Sequence, residues 1–287
     1  MSRRWADAAL AANTVLWGAT FILVKAALRD VSPALFLAMR LSLAAAVLGI
    51  AFRRNLRSGV HRGGAIAGVF LFAGFFFQTQ GLRYTTAPKS AFITGLTTVM
   101  VPLVAALVYR IRPQVSEVVG VLVATLGMGL MTLEGPIGSI SRGDWLTLLG
   151  AIAFAAHIVT VGHFAAVSSY QQLTFVQVVT AAACALLACA AETRTISWRP
   201  VVIAAILVTG LLCTALAFAI QAWAQRYTTA TRTGLIYALE PVVAWVTSFI
   251  VMGETLAARA ALGAALILGG VVLVEVKPLD SAAHPKQ

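Results

Sequence analysis

The sequence predicts an all-α integral membrane protein: ten transmembrane helices arranged as two five-helix repeats of inverted topology. Three observations carry that prediction. Of 287 residues, 60% are hydrophobic and only 11% are charged, and the mean hydropathy is +0.90. A soluble domain carries about 25% charged residues, so this chain cannot clothe itself for water and must face lipid or itself. Apolar stretches recur at close to the ~20 residues that cross a ~30 Å hydrocarbon layer as a helix. Finally, the segment RYTTA is written twice, at Arg83–Ala87 and at Arg226–Ala230, 143 residues apart.

The apolar runs are continuous, whereas barrel strands alternate over ~10 residues. A helix also satisfies its own backbone in lipid. Span 1 (8–28) follows Arg3, Arg4 and the small residues AALAA, which together resemble a secretory signal. Its strongest stretch, VLWGATFILV (15–24), comes after those alanines, the wrong order for cleavage, so it is expected to remain as a span. Span 2 (34–52) contains a single arginine, Arg40. The basic loop FRRNLRSGVHR (52–62) leads into span 3 (63–82), where FLFAGFFFQTQ sets five phenylalanines beside Gln78.

Span 4 (87–109) carries Thr94, Thr97 and Thr98, and span 5 (115–134) the small-residue stretch GVLVATLGMG. Span 6 (145–165) holds His157 and His163, and span 7 (171–190) Cys184 and Cys189. Span 8 (200–224) holds Cys213 and Gln221, and span 9 (229–252) Tyr237 and Glu240. Span 10 (257–276) contains ARAALGAALILGG. Small residues at this spacing permit close helix crossing. They serve either the scaffold or a homodimer face. The three cysteines have no CxxC spacing, so neither a disulfide framework nor a zinc site is expected.

The net charge of +11 does not point to nucleic acid, because the cations lie in short gaps between apolar runs with no basic stripe. Their distribution reports orientation instead. With a cytoplasmic N-terminus, eleven Lys and Arg fall on the inner side, led by the 52–62 loop, and six on the outer side. The positive-inside rule therefore places both termini in the cytoplasm.

A shift of 143 residues superposes the halves without gaps. Phe75 falls on Phe218, Gln78 on Gln221, Lys89 on Arg232, Gly120 on Gly263 and Gly127 on Gly270. The predicted repeats are 1–143 and 144–287. Five spans is an odd number, so the second copy begins on the opposite side of the membrane. Inverted repeats recur in secondary transporters, where exchanged halves open one site to either side. RYTTA is then one tight turn used once at each face.

NTVLWGATFILVK (13–25), the lone Arg40 and LEPVVAWVTSFIVMGETL (239–256) together resemble the drug/metabolite transporter superfamily, EamA type, over essentially the whole chain. The resemblance implies export of small metabolites, amino acids or drugs through a central cavity between the halves. Within that superfamily the chain is similar to the YddG-type aromatic amino-acid exporters. A drug or nucleotide-sugar-like carrier is the alternative on the same fold, and a passive channel or a membrane-embedded enzyme is the alternative of a different class. One departure is that Thr97-Thr98 stand opposite Glu240-Pro241, so the two halves do not carry symmetric charges.

There is no GxxxxGK[ST] phosphate loop, and no HExxH, GxSxG or paired His/Asp cluster. An enzyme is not expected, and neither a cofactor nor a metal; His157 and His163 point to different faces of their helix. The expected partners are a small-molecule substrate and the lipid bilayer. Glu240 is the acid nearest a span centre, where a charge is costly and usually functional, and is the candidate proton or charge relay. A plainer role is to hold the helix at Pro241. Glu117, Glu134, Glu254 and Glu275 sit near span ends.

Lys25, Arg40, Lys89 and Arg232 lie within about two turns of an end, close enough to snorkel. Lys89 and Arg232, being repeat-related, are also candidate gates. Asn13, Trp17, Gln78, Thr94, Thr97, Thr98, His157, Gln221 and Tyr237 are the candidate substrate-binding residues. Each must face the interior to be satisfied. Aromatic walls with a few polar groups suit a ligand with an apolar body and a zwitterionic end.

Overall fold

The computed structural model describes residues 3–18, 20–56, 61–110, 114–132, 141–240, 242–243 and 258–276. Glu134, Pro241, Glu254 and residues 244–252 of span 9 lie outside the described residues, as do Arg57, Arg112, Lys277 and Lys286. The described residues are helical and contain no strand, only an isolated bridge between Val31 and Ile196.

Span 1 comprises α1 (Arg3–Gly18) and α2 (Thr20–Ala27), span 2 is α3 (Pro33–Phe52) and span 3 is α4 (Arg62–Leu82). Span 4 is broken into α5 (Ala87–Gly95) and α6 (Thr97–Tyr109). Span 5 is α7 (Val115–Thr132), span 6 α8 (Arg142–Ala165) and span 7 α9 (Tyr170–Ala191). Span 8 runs α10 (Pro200–Leu207), a nine-residue π-helical segment (Val208–Leu216) and α11 (Ala217–Ala224). Span 9 opens with α12 (Ala230–Tyr237), and span 10 is α13 (Ala258–Val276). Seven of these spans are long and apolar enough to cross a membrane by themselves, and α7 and α13 are shorter apolar helices. Leu107 and Leu187, 84% and 74% exposed, belong to the apolar outer surface of the bundle.

The repeated RYTTA turn has one physical role in both copies. The second threonine of each is a helix N-cap. The Thr86 hydroxyl accepts the Lys89 N–H at 3.3 Å, and the Thr229 hydroxyl accepts the Arg232 N–H at 3.2 Å. The backbone angles agree as well, at φ −80°, ψ 154° and φ −83°, ψ 159°. Such a cap contributes about 1 kcal/mol. Helix α8 runs from one turn to the other: Gly143 meets the backbone of Gly81 and Tyr84, and Gly162 meets Ala230. The two turns therefore lie at opposite ends of the bundle, called below the Thr86 face and the Thr229 face.

The helix breaks are also repeat-related. Span 4 turns at Leu96, between Gly95 and Thr97, and span 9 turns at Ala238 and Leu239. In span 9 the bonds shorten to Ala238 N–H on Leu235 O and Leu239 N–H on Ile236 O, both 3.0 Å. A proline at 241 has no N–H to give the Tyr237 carbonyl one turn back, which accounts for a break there. Discontinuous helices are where transporter folds expose backbone to a ligand.

Small residues set the helix spacing. Gly64 and Gly68 of α4 face α9, and Gly74 faces Phe154 of α8. Gly120 and Gly127 of α7 face Gly270 and Gly263 of α13, so the small stripes of spans 5 and 10 are turned to each other within one chain. A Cβ at Gly127 would stand 2.5 Å from the Gly263 carbonyl oxygen and 2.9 Å from Ile267, whereas a Cβ at Gly269 meets nothing within 4 Å. Gly127→Leu is therefore expected to destabilise by roughly 1–3 kcal/mol, the range for forced overpacking, with Gly269→Leu close to neutral. Thermal unfolding of the two variants in detergent decides this; equal melting temperatures would refute it.

The largest apolar cluster joins α3 to α9, α10 and α4 around Phe36, Leu37, Leu41 and Leu71, all fully buried. It fixes the wall against which the central cavity opens.

Candidate functional site

Spans 1, 2, 3, 4, 6, 8 and 9 enclose a cavity with about 920 Å³ of empty space, open solvent at its mouth included. Its lining reaches Val24, Thr79 and Leu82 toward the Thr86 face, and Gln221 and Gly234 toward the Thr229 face. Both repeats contribute.

One side of the cavity is aromatic. Trp17 stands edge-on to Tyr237 with centroids 4.8 Å apart and 5.8 Å from Phe218. Phe75 is edge-on to Phe154 at 5.2 Å and to Phe218 at 5.9 Å. The Trp17 indole N–H donates to the Cys213 carbonyl at 3.0 Å, and Cys213 Sγ lies 2.9 Å from the Leu16 carbonyl oxygen. Cys213 belongs to the π-helical segment, whose wider turns redirect backbone groups away from the usual ladder.

The polar lining is tied down at mid-depth. Gln78 Nε2 donates to Thr94 Oγ1 at 3.0 Å, and the Thr97 hydroxyl to Ala151 O at 3.2 Å. The Thr98 hydroxyl donates to Gly234 O at 2.9 Å, joining the broken span 4 to span 9. His157 is buried with Nε2 2.7 Å from Gln177 Oε1 and its ring edge-on to Phe218 at 5.3 Å. Gln221 Nε2 donates to Gln225 Oε1 at 3.1 Å, and Gln225 Nε2 to Ile158 O at 3.0 Å. Glu240 meets the cavity just beyond the span 9 break.

The structure brings Trp17, Gln78, Thr94, Thr97, Thr98, His157, Gln221, Tyr237 and Glu240 to this one cavity. Asn13 stands apart from its lining. It is fully buried, and its Nδ2 donates to Ala217 O at 2.8 Å, which fastens span 1 to span 8 one turn from the Trp17 bond. His163 is elsewhere, stacked on Tyr109 at 4.2 Å.

The expectation of snorkelling is corrected for Arg40, which is only 5% exposed, lines the cavity and donates Nε–H to Thr214 Oγ1 at 2.9 Å. A neighbouring helix supplies what the interface was expected to supply. Arg232 is also buried, at 7% exposure. Lys25 is drawn inward as well: its Nζ donates to Leu82 O at 2.9 Å and to Thr85 O. Lys89 Nζ is 2.6 Å from Asp144 Oδ2. Asp144 also accepts the Thr85 hydroxyl at 2.7 Å and the Ser141 N–H at 2.7 Å, completing a capping box at the start of α8. These bonds bind spans 1, 3, 4 and 6 together at the Thr86 face.

Sequence reasoning left Arg40 and Asp144 out of the site. A lone arginine seven residues past a helix-starting Pro33 was the available signal for the first. Nothing local marks Asp144, because its partner is 55 residues away.

Comparison with known proteins gives a concordant result. The model of the EamA-like transporter family matches residues 4–133 and again 141–276. An uncharacterized transporter of Archaeoglobus fulgidus is 33% identical over 277 residues, covering 96% of this chain and 88% of its own. The uncharacterized transporter YyaM of Bacillus subtilis is 26% identical over 276 residues, covering 90% of each. A solved crystal structure 19% identical in sequence matches 96% of this chain and 98% of its own with a TM-score of 0.80, a likeness of fold.

Proposed function

Since the chain belongs to the EamA-like transporter family, we propose that it is a secondary exporter of small organic metabolites, amino acids foremost and those with aromatic or large neutral side chains first among them. The carrying observation is the central cavity: aromatic on one side, lined with amide, hydroxyl and imidazole groups, and built from both repeats. A neutral amino acid offers an apolar body and a zwitterionic end, and the lining has groups for each.

The proposed units are residues 1–143 and 144–287, which exchange conformations so that the cavity opens alternately to the two faces. With the N- and C-termini in the cytoplasm of a bacterial inner membrane, the Thr86 face is periplasmic. The Lys89–Asp144 pair is then the outer gate, and the buried Arg232 helix start the inner one. Cargo binding in the cavity rests with Trp17, Gln78, Thr94, Thr97, Thr98, His157, Gln221 and Tyr237, while Asn13 supports the wall. Glu240 is the candidate proton or charge relay.

The test is counterflow in proteoliposomes preloaded with unlabelled phenylalanine, with labelled phenylalanine outside. Transient accumulation above protein-free vesicles is expected; its absence with folded protein would sink the aromatic amino-acid reading. Glu240→Gln is expected to flatten any dependence of that flux on a pH gradient. A gradient response left intact in the variant removes Glu240 as the relay.

A further inference from the structure

Arg40 is a fixed cation inside the membrane-spanning part of the protein, and the described residues around it hold the guanidinium without supplying a counter-charge. The side chain enters from α3 about two turns below the Thr86 face. Its Nε–H is held by Thr214 Oγ1, and that hydroxyl donates onward to Thr209 O at 2.7 Å, so the acceptor is itself oriented. One face of the guanidinium lies over the Phe75 ring, 4.1 Å from its centroid. Among the described residues no carboxylate lies within 4 Å of Arg40; the ion pairs join Arg3 to Asp7, Lys89 to Asp144 and Arg199 to Asp30.

A buried charge without a counter-charge is costly. Arginine cannot escape that cost by releasing its proton, because its side chain stays protonated in proteins. The cation–π contact offsets part of the cost. With Nε on Thr214 and one face on Phe75, the terminal amino edge is the part of the plane left to meet the cavity that Arg40 lines. Two parallel N–H donors at that edge match the two oxygens of a carboxylate in a bidentate pair, and the apolar body of such a ligand suits the aromatic side of the cavity.

We infer that Arg40 is the carboxylate-recognising element of the cavity, so that the cargo is a carboxylate with an apolar or aromatic body, and the missing counter-charge arrives with it. This rests on the reading of the cavity as the transport site. The polarity of the site agrees. Glu240 meets the same cavity from span 9 and forms no ion pair with Arg40 in the structure. A zwitterion has one group for each. The Phe75 ring that steadies Arg40 is also part of the aromatic side, so the carboxylate and the apolar body of one ligand find their partners side by side.

The experiment uses the full-length protein in detergent and matched ligand pairs that differ at one group: 3-phenylpropionate against 3-phenylpropanamide, and phenylalanine against phenylalaninamide. Apparent affinities come from the concentration dependence of thermal stabilisation. The carboxylate of each pair is expected to bind the unmodified protein about 10- to 100-fold more tightly than its amide, the effect of charge-assisted hydrogen bonds. Arg40→Gln is expected to bring that ratio to near unity, and Arg40→Lys to keep only part of it. Should Arg40→Gln fail to fold, Thr214→Val keeps the charge and removes the Nε acceptor, and the ratio is expected to fall several-fold. Equal affinities in the unmodified protein, no binding of either carboxylate, or a ratio unchanged by these substitutions overturns the inference. Phenylalanine counterflow separates the two readings. Retained carboxylate preference without counterflow leaves Arg40 in place and removes the amino acid; counterflow with no Arg40-dependent preference does the reverse.

Discussion

Asp144→Asn is expected to unfold the Thr86 face at lower temperature than any other conservative polar substitution near it. The carboxylate is 4% exposed and serves three groups at once: the Lys89 ammonium, the Thr85 hydroxyl and the Ser141 N–H. An asparagine retains the shape and one carbonyl oxygen but leaves Lys89 without its counter-charge. Removing one partner of a buried pair costs about 3–5 kcal/mol. The low end applies because the Lys89 side chain keeps 30% of its exposure and water screens part of the loss. A second variant distinguishes charge from packing. Asp144→Leu combined with Lys89→Met is expected to recover only the part of the loss due to the unpaired ammonium, since the Thr85 hydroxyl and the Ser141 N–H still lose their acceptor. Detergent melting curves read both. A shift for Asp144→Asn equivalent to under about 0.5 kcal/mol, the range of surface changes, would remove the latch from the account.

The second large effect is expected at Trp17. Its ring contacts Tyr237 and Phe218, its N–H holds Cys213 O, and it lines the cavity. Trp17→Ala opens a void between spans 1, 8 and 9, and large-to-small aromatic substitutions cost about 3–5 kcal/mol. Transport should fall with stability. Trp17→Phe separates the two functions of the indole. It keeps a ring against Tyr237 but gives up the bond to the π-helical segment, a loss of about 1 kcal/mol. Melting and phenylalanine counterflow measured on both variants give the answer. If Trp17→Ala folds and transports normally, neither the anchor nor the cavity wall depends on this side chain.

These two residues also mark how far the sequence could be read. Trp17 was found because an amphipathic group inside an apolar run needs a partner, which is a local statement. Gln78, Thr94, His157, Gln221 and Glu240 were found in the same way, and the structure gathers them around one cavity. Asn13 obeyed the same rule but met a helix backbone, because a buried amide is satisfied equally by a wall carbonyl and by a ligand. Arg40 was misplaced because distance from a helix end measures what a long side chain can reach. It cannot measure what the neighbouring helix offers instead.

By itself the sequence determined the ten-span plan, the tandem repeat and the two matching turns, whose caps the structure then showed. Hydropathy over ~20 residues and side-chain to backbone bonds within four residues are properties of contiguous chain. Tertiary structure alone decided which side of each helix looks into the cavity, and that Arg40 and Asp144 are buried. In an almost wholly apolar chain the face toward lipid and the face toward protein have nearly the same hydropathy. Close approach at glycines such as Gly68, Gly127 and Gly210, and the pairing of polar groups far apart in sequence, are what tell them apart.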